Sequence, residues 1–364
     1  MEPSATWVQW TASPLPTDEK TLSPLERSAL ARCDRGEAGL QQAAKVVVAR
    51  KLMGQPVPGP DELALAQRSS GEPHPWARAW VATGRALGQE PTMAKLDAWL
   101  GPQRKAERRC GVASAMSPDG TRALAVVSID AVADLLPLPT HARAGQWLLV
   151  EGRLRVQASA GEVIVLGPSG VPRSVPTSFE GGVLRAHFAP ERPGRFTVQV
   201  LADVGAGLRP VLEASVFVDT APGSPSSRMA PGEELGCAVV PDDELLARMI
   251  NEARASAGVA PVSRDANLDD VARRHAERMV GRGELAHDLG EGDPRERLRA
   301  AGVEARYAGE NVAHALNVPL AHRFLWSSPS HRANLLGRDF HHVGVAVTRD
   351  ERGDTWVVEL FTGE

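Results

Sequence analysis

Seven of the ten histidines in this 364-residue chain fall between His275 and His342. Neutral imidazole is the common zinc ligand and the common general base near pH 7, so that density asks for a chemical reason. Two or three imidazoles with one carboxylate suit Zn²⁺ and leave coordination positions for water or substrate. Not every histidine in the run reads as functional. His275 lies on an apolar helical stripe and reads as a core residue. His314 follows Glu310 by four residues, a helical spacing, and reads as solvated. Ser327, Ser328 and Ser330 stand beside His331, yet capping and turn chemistry explain serines before a helix better than a nucleophile does. Arg332 and Asn334 read as structural. The chain has no HExxH helix and no legible nucleophile–base pair.

The elements that must position these residues follow from periodicity. DELLARMINEARASAG is an amphipathic helix with Leu245, Leu246, Met249 and Ile250 on one face, stopped by Gly258. NLDDVARRHAERMVGRG is a second, with Asn267 as its expected cap and Leu268, Val271, Ala272, His275 and Met279 as its stripe. VPLAHRFLWSS and SPSHRANLL are helical in character, and HHVGVAVTRDERGDTWVVELF closes the sequence as a hairpin turning near Arg352-Gly353.

The order of landmarks here resembles the CAP family (cysteine-rich secretory protein, antigen 5, pathogenesis-related 1), in its bacterial form. A helix leads to Leu285-Ala286-His287, then comes Gly309-Glu310-Asn311-Val312. Trp326-Ser327-Ser328-Pro329-Ser330-His331-Arg332-Ala333-Asn334-Leu335-Leu336 is next, and His342-Val343-Gly344-Val345-Ala346 comes last. The resemblance covers Pro241 to Glu364. It implies an α-β-α sandwich with an open cleft lined by His287, Glu310, His331 and one of His341 and His342. Neighbouring strand residues face opposite ways, so only one of that pair can line it, and the family pattern favours His341. The family's second acid, on the helix after the Trp, has no counterpart here. Some members bind a divalent metal in this cleft, so the resemblance implies a zinc-type site. It also implies a lipid, glycan or protein ligand and a secreted or envelope location.

Upstream the chain is punctuated twice, at Leu135–Arg143 and at Thr220–Glu234, the second being the better linker. Between them, Gln146 to Asp219 reads as short strands separated by Gly/Pro turns, a β-sandwich of immunoglobulin-like type. The N-terminal part reads as helices in LSPLERSALARC, GLQQAAKVVVARKLM and PWARAWVATGRAL, followed by a hairpin around Asp119-Gly120. That hairpin parallels the last one. Gly111 to Gly120 and Gly344 to Gly353 are equally spaced, Trp80-Val81-Ala82 stands where Asn311-Val312-Ala313 stands, and Ala44–Met53 matches Val271–Val280. The expectation is a degenerate CAP-like repeat, with one histidine, His74, no Gly-Glu-Asn, and its cleft space filled by Trp76, Trp80 and Arg109.

The fold expected is therefore multidomain α+β: an N-terminal α+β domain at 1–134, a β-sandwich at 135–220, a linker at 221–240 and a CAP-type domain at 241–364. The three cysteines contain no CxxC pair; Cys33 is expected to pair with Cys110, leaving Cys237 free. A net charge of −4 gives no reason to expect nucleic acid. No apolar run reaches the roughly 20 residues of a transmembrane helix, and Met1-Glu2-Pro3-Ser4 does not read as a signal peptide. A removed leader would look the same, and a cytoplasmic protein would also fit the low cysteine count. Two functions compete: a binding protein whose cleft holds metal, lipid or glycan, which is preferred, and a metal-assisted hydrolase of peptide or cell-wall polymer.

Overall fold

The computed structural model describes residues 9–10, 19–58, 63, 67, 71–101, 106–205, 207–221, 229–237 and 239–364. Part of the expected linker, 222–228, lies outside the described residues. The chain falls into two compact units. One comprises residues 1–163, 175–204 and 210–222, the other 164–174, 205–209 and 223–364.

In the first unit, α1 (Pro24–Leu30) starts at a capping box: the Glu26 amide donates to Ser23 Oγ, and the Ser23 amide donates to Glu26 Oε2. Strand β1 (Arg35–Gly36) feeds α2 (Ala38–Leu52), followed by β2 (Arg78–Gly84), α3 (Gln89–Leu100), β3 (Glu107–Met116) and β4 (Arg122–Ala131). The four strands form one sheet in the order β1-β3-β4-β2. Leu40, Ala43, Ala44, Val47 and Val48 of α2 cover one face of it, against Ala113, Ala125 and Val127. Leu30 of α1 and Met93, Leu96 and Leu100 of α3 cover the other, against Cys110, Val112, Leu124 and Val126. Cys33 and Cys110 are disulfide-bonded, with 6.0 Å between their Cα atoms. One expectation fails here. Within the PWARAWVATGRAL stretch, Arg78–Gly84 is strand β2, because Trp80, Val81 and Thr83 favour extended backbone.

The all-β segment carries β5 (Ala133–Leu135), β6 (His141–Ala142), β7 (Leu148–Leu154), β8 (Ala160–Leu166), β9 (Pro172–Val175), β10 (Thr177–Glu180), β11 (Val183–Phe188), β12 (Gly194–Asp203) and β13 (Leu208–Val218). They form a four-stranded sheet, β10-β11-β7-β5, and a five-stranded one, β9-β8-β12-β13-β6. Gly152 of the first faces Leu212 and Val200 of the second, so the sheets pack on each other.

The second unit holds α4 (Asp242–Ser256), β14 (Ser263–Arg264), α5 (Ala266–Arg282), α6 (Pro294–Ala300), β15 (Tyr307–Ala315), α7 (Val318–Ser327), α8 (Pro329–Leu335), β16 (His342–Arg349) and β17 (Thr355–Gly363). The sheet order is β14-β16-β17-β15. Leu268, Val271, Ala272, Ala276 and Met279 of α5 pack on Val312, Ala346, Val358 and Leu360. On the opposite face, α4 and α7 bury Leu246, Ile250, Ala321 and Leu325 against Val343, Val345, Val357 and Phe361. The cap of α5 is Asp265, whose carboxylate accepts from the Asn267 and Leu268 amides, and not Asn267. The helix stops at Arg282 because Gly283 adopts a left-handed φ of 60°.

The two helix-on-sheet contacts share a device. A Cβ at Gly344 would lie 2.3 Å from the Leu268 carbonyl carbon, and one at Gly111 would lie 1.9 Å from that of Leu40. Only glycine lets the helix backbone approach a strand so closely. Gly344 pairs with Leu360, which pairs with Glu310; Gly111 pairs with Val127, which pairs with Ala79. By that register Trp80, Val81 and Ala82 match Asn311, Val312 and Ala313, as expected. The helices align one residue away from the sequence reading: with Leu40 matched to Leu268, Ala44 falls on Ala272 and Val47 on His275.

Candidate functional site

Glu310 is the centre of the polar cluster. It sits on β15 with Val312 on the face covered by α5, and its side chain is 1% exposed. His287 Nδ1 lies 2.9 Å from Glu310 Oε1, and the Arg297 guanidinium binds Oε2. Arg297, on α6, also donates to the His287 carbonyl at 2.6 Å and the Gly292 carbonyl at 2.8 Å, tying the 283–293 loop to the strand. Burial alone would raise the Glu310 carboxyl. The His287 hydrogen bond and the Arg297 charge outweigh it and hold the group below the usual range.

His275 stands behind this pair. Its Nδ1 is 2.6 Å from Glu291 Oε1, its Nε2 is 2.8 Å from the Ala286 carbonyl and 3.8 Å from Glu310 Oε1. A core histidine was expected, and it is a satisfied one that also props the loop carrying His287. His314 lies on strand β15, so no helix face joins it to Glu310. Its ring stacks on Trp356, with centroids 4.2 Å apart, near Asp350 and Asp354.

The motif asparagines lock α8 to the sheet. Asn311 Nδ2 donates to the His331 carbonyl at 3.1 Å and to Glu359 Oε2 at 2.8 Å. Asn334 Nδ2 donates to Asn311 Oδ1 at 2.9 Å and to the Glu310 carbonyl at 3.2 Å. A Cβ at Gly309 would lie 2.8 Å from Asn334 Oδ1, which explains the glycine of Gly-Glu-Asn. Arg332 stacks over the Trp326 ring at 4.0 Å, and the Ser327 hydroxyl donates to the Phe324 carbonyl. Glu359, fully buried on β17, is pushed up to about 8 by burial, partly offset by the Asn311 bond.

The His331 imidazole is driven down to about 3, first by burial and then by the His287 charge, so it is neutral at physiological pH. Its Nε2 is shielded from solvent and has no hydrogen-bond partner. The structure thus brings His287, Glu310 and His331 to one neighbourhood. Among the described residues, no hydrogen bond or ion pair joins His341 or His342 to them. Alternation along β16 gives His342 the α5 face, with Gly344 and Ala346, and His341 the opposite face.

The donor set tests for a metal. Both Glu310 oxygens are engaged, which fits an orienting carboxylate better than a direct ligand. A carboxylate bound to His Nδ1 fixes the tautomer and presents Nε2, the usual arrangement behind a metal-bound histidine. His331 Nε2 has no partner and His287 Nε2 is the ring nitrogen not bound to Glu310, so these are the two nitrogens that could serve as ligands. Arg297, Glu291, Asn311 and Glu359 escaped the sequence reading. Only Asn311 carried a signal, as the last residue of Gly-Glu-Asn; Glu359 was visible only as an acid inside an apolar run.

Residues 247–361 match the family model of the cysteine-rich secretory protein family, CAP. The uncharacterized protein YkwD of Bacillus subtilis is 28% identical over 121 residues, 33% of this chain and 46% of that protein. The chain thus spans about half the length of the curated relative it matches. Among solved structures, an extracellular SCP-domain protein of Bacillus anthracis is 16% identical, covering 64% of this chain and 86% of that one at a TM-score of 0.32. A cysteine-rich secretory protein of Staphylococcus aureus is 14% identical, covering 64% and 83% at 0.31. No helix among the described residues is long and apolar enough to cross a membrane. With the family model matched over the stretch that holds all four motifs, the C-terminal region of this chain, residues 247–361, belongs to the CAP family and is of bacterial type.

Proposed function

We propose that this is an extracellular or cell-envelope binding protein whose CAP domain holds a divalent metal between His287 and His331, with Glu310 orienting His287. The observation that carries the reading is His331 Nε2, buried, neutral and without a partner. An unpaired buried acceptor is costly, and a metal ion would satisfy it. Bound there, Zn²⁺ would supply a Lewis acid with open positions for a ligand donor atom. A ligand that binds only the native state raises the melting temperature. Zn²⁺ is expected to raise the Tm of the full chain, and to stop doing so in the His287→Ala, His331→Ala double variant. An unchanged response in that variant removes these residues from the site.

The binding role is preferred over hydrolysis because the Ser327 hydroxyl, close in sequence to His331, is engaged on the Phe324 carbonyl and no nucleophile–base pair is assembled among the described residues. The remaining regions fit scaffolding or recognition. The all-β segment reads as an immunoglobulin-like module, and the 22–134 region as a degenerate CAP-like repeat, supported by the shared sheet order and the matched glycines. A Cys33–Cys110 bridge persists best in an oxidising compartment, which favours the secreted or envelope location. Thiol counting on protein purified without reductant should find one free thiol, at Cys237; three would contradict both bridge and location.

A further inference from the structure

The first unit contains a second group of ligand-type side chains, remote in sequence from the CAP motifs. Glu37, Glu72 and His74 each present one donor atom, and these lie within 4.8 Å of one another. All three residues are buried, at 0%, 2% and 4% exposure. Glu37 Oε1 and Oε2 and Glu72 Oε2 have no hydrogen-bond partner, so three shielded carboxylate oxygens are left without a donor. Arg109 Nη1 comes within 3.0 Å of Glu37 Oε1 but does not align a hydrogen bond to it.

Glu37 occupies a position where a helix cap is the ordinary use of a carboxylate. By the register of the two sheets it corresponds to Asp265, whose side chain caps α5 by accepting from two amides. Glu37 makes no such bond to α2 and its carboxylate is directed to the cluster instead. His74 Nε2 lies 2.8 Å from the Ala133 carbonyl, which fixes that nitrogen as a donor, and Nδ1 is hydrogen-bonded to Glu72, as His275 is to Glu291; an ion held by Glu37 and Glu72 would take the place of the Nδ1 proton.

Charge counting points the same way. Arg109 is already matched by Glu107 at 2.7 Å and Asp134 at 2.6 Å, and Arg155 bridges the same two acids at 3.3 and 2.7 Å. The four acids Glu37, Glu72, Glu107 and Asp134 against these two arginines and an ionised His74, paired to Glu72, leave a formal excess of one negative charge. Arg35, 3.9 Å from Glu37, is partly exposed and screened by solvent. Two carboxylates and one imidazole suit a first-row divalent ion of the zinc class, whereas the imidazole disfavours Ca²⁺ and Mg²⁺. We infer that Glu37, Glu72 and His74 form a second, buried divalent-cation site in the N-terminal region, of structural kind and independent of the CAP cleft.

The test uses the full chain carrying His287→Ala and His331→Ala, so that the cleft cannot contribute. The protein is refolded from guanidinium chloride with the disulfide intact in the presence of Zn²⁺, desalted, and its metal content measured beside its circular dichroism. The expected result is one zinc retained per chain. Adding Glu37→Gln and His74→Gln, which keep side-chain size and polarity, should lower retention at least tenfold while the native spectrum returns. Absence of retained zinc in the natively folded parent variant would overturn the site, and so would equal retention in the Gln variant. If the Gln variant does not refold, Glu72→Gln alone serves as the comparison, again with at least a tenfold loss of retained zinc expected and equal retention as the overturning result.

Discussion

Two regions of this chain share a plan and differ in what they put into it. Residues 35–131 and 263–363 each build a four-stranded sheet in which a short parallel edge strand leads, through a helix cap, into a helix lying on the sheet. The matched positions then diverge together. Ala79 stands for Glu310, Trp80 for Asn311, Val126 for Glu359 and Val47 for His275. Each of the four polar residues in the C-terminal set leans on another or on the site loop: His275 lies against Glu310, and Asn311 holds Glu359. A buried network in which one partner is lost leaves the others unsatisfied, and that costs more than a wholly apolar replacement. The comparison therefore teaches that the four polar residues of the C-terminal set depend on one another, and that none of the four matched positions in 35–131 carries a polar counterpart of that kind. Trp76, Trp80 and Arg109 were expected to fill the space matching the cleft; Trp80 takes the Asn311 register position and packs with Val112 and Leu124, on the face opposite Ala79. Arg109 instead belongs to the Glu107–Asp134 ion-pair group, and Trp76 donates to the Pro210 carbonyl.

The sharpest way to break this comparison is to remove Arg297. Met at that position leaves Glu310 buried with only His287, and uncompensated buried charge costs about 3–5 kcal/mol. Guanidinium denaturation followed through the C-terminal transition should show that loss, and adding Glu310→Ala, the residue found at 79, should recover part of it. A neutral Arg297→Met would mean that the cluster is not the interdependent unit described.

A smaller effect is a pH slope confined to one acid. A free glutamate titrates near pH 4.3, whereas burial pushes Glu359 up to about 8. Between those values the folded domain holds a proton that the unfolded chain has released. Below about pH 6.5 the buried His331, held neutral by the fold, contributes the opposite slope; above it, stability of the C-terminal transition should fall as pH rises to about 8, by on the order of 2 kcal/mol. Glu359→Gln keeps an acceptor for Asn311 and should flatten that slope; an unchanged slope would show Glu359 ionised in the fold.

Much of this was legible in the residues. The stripe of Leu268, Val271, Ala272 and Met279 gave α5, and the alternation in GRFTVQVLAD and PVLEASVFVD gave β12 and β13. Local spacing carries that information because each element buries a periodic face. PWARAWVATGRAL misled because a seven-residue strand samples too few periods to separate 2 from 3.6. The partners of Glu310 were hidden for a different reason: Arg297 and His275 are 13 and 35 residues away, and only the closing of α5 and α6 over β15 makes them neighbours. His341 against His342 could not be settled by pattern, since adjacent strand residues carry the same composition and opposite faces.

The central claim is that one of the two matched regions holds a metal on a histidine pair backed by Glu310, while the other has apolar residues in the corresponding positions. Anomalous diffraction at the zinc edge, from crystals of the full chain grown with Zn²⁺, tests it most directly. The account predicts a peak bonded to His287 Nε2 and His331 Nε2, with Glu310 on His287 Nδ1, and no peak beside Ala79 and Trp80. Ordered density for both imidazoles without a zinc peak between them would contradict it.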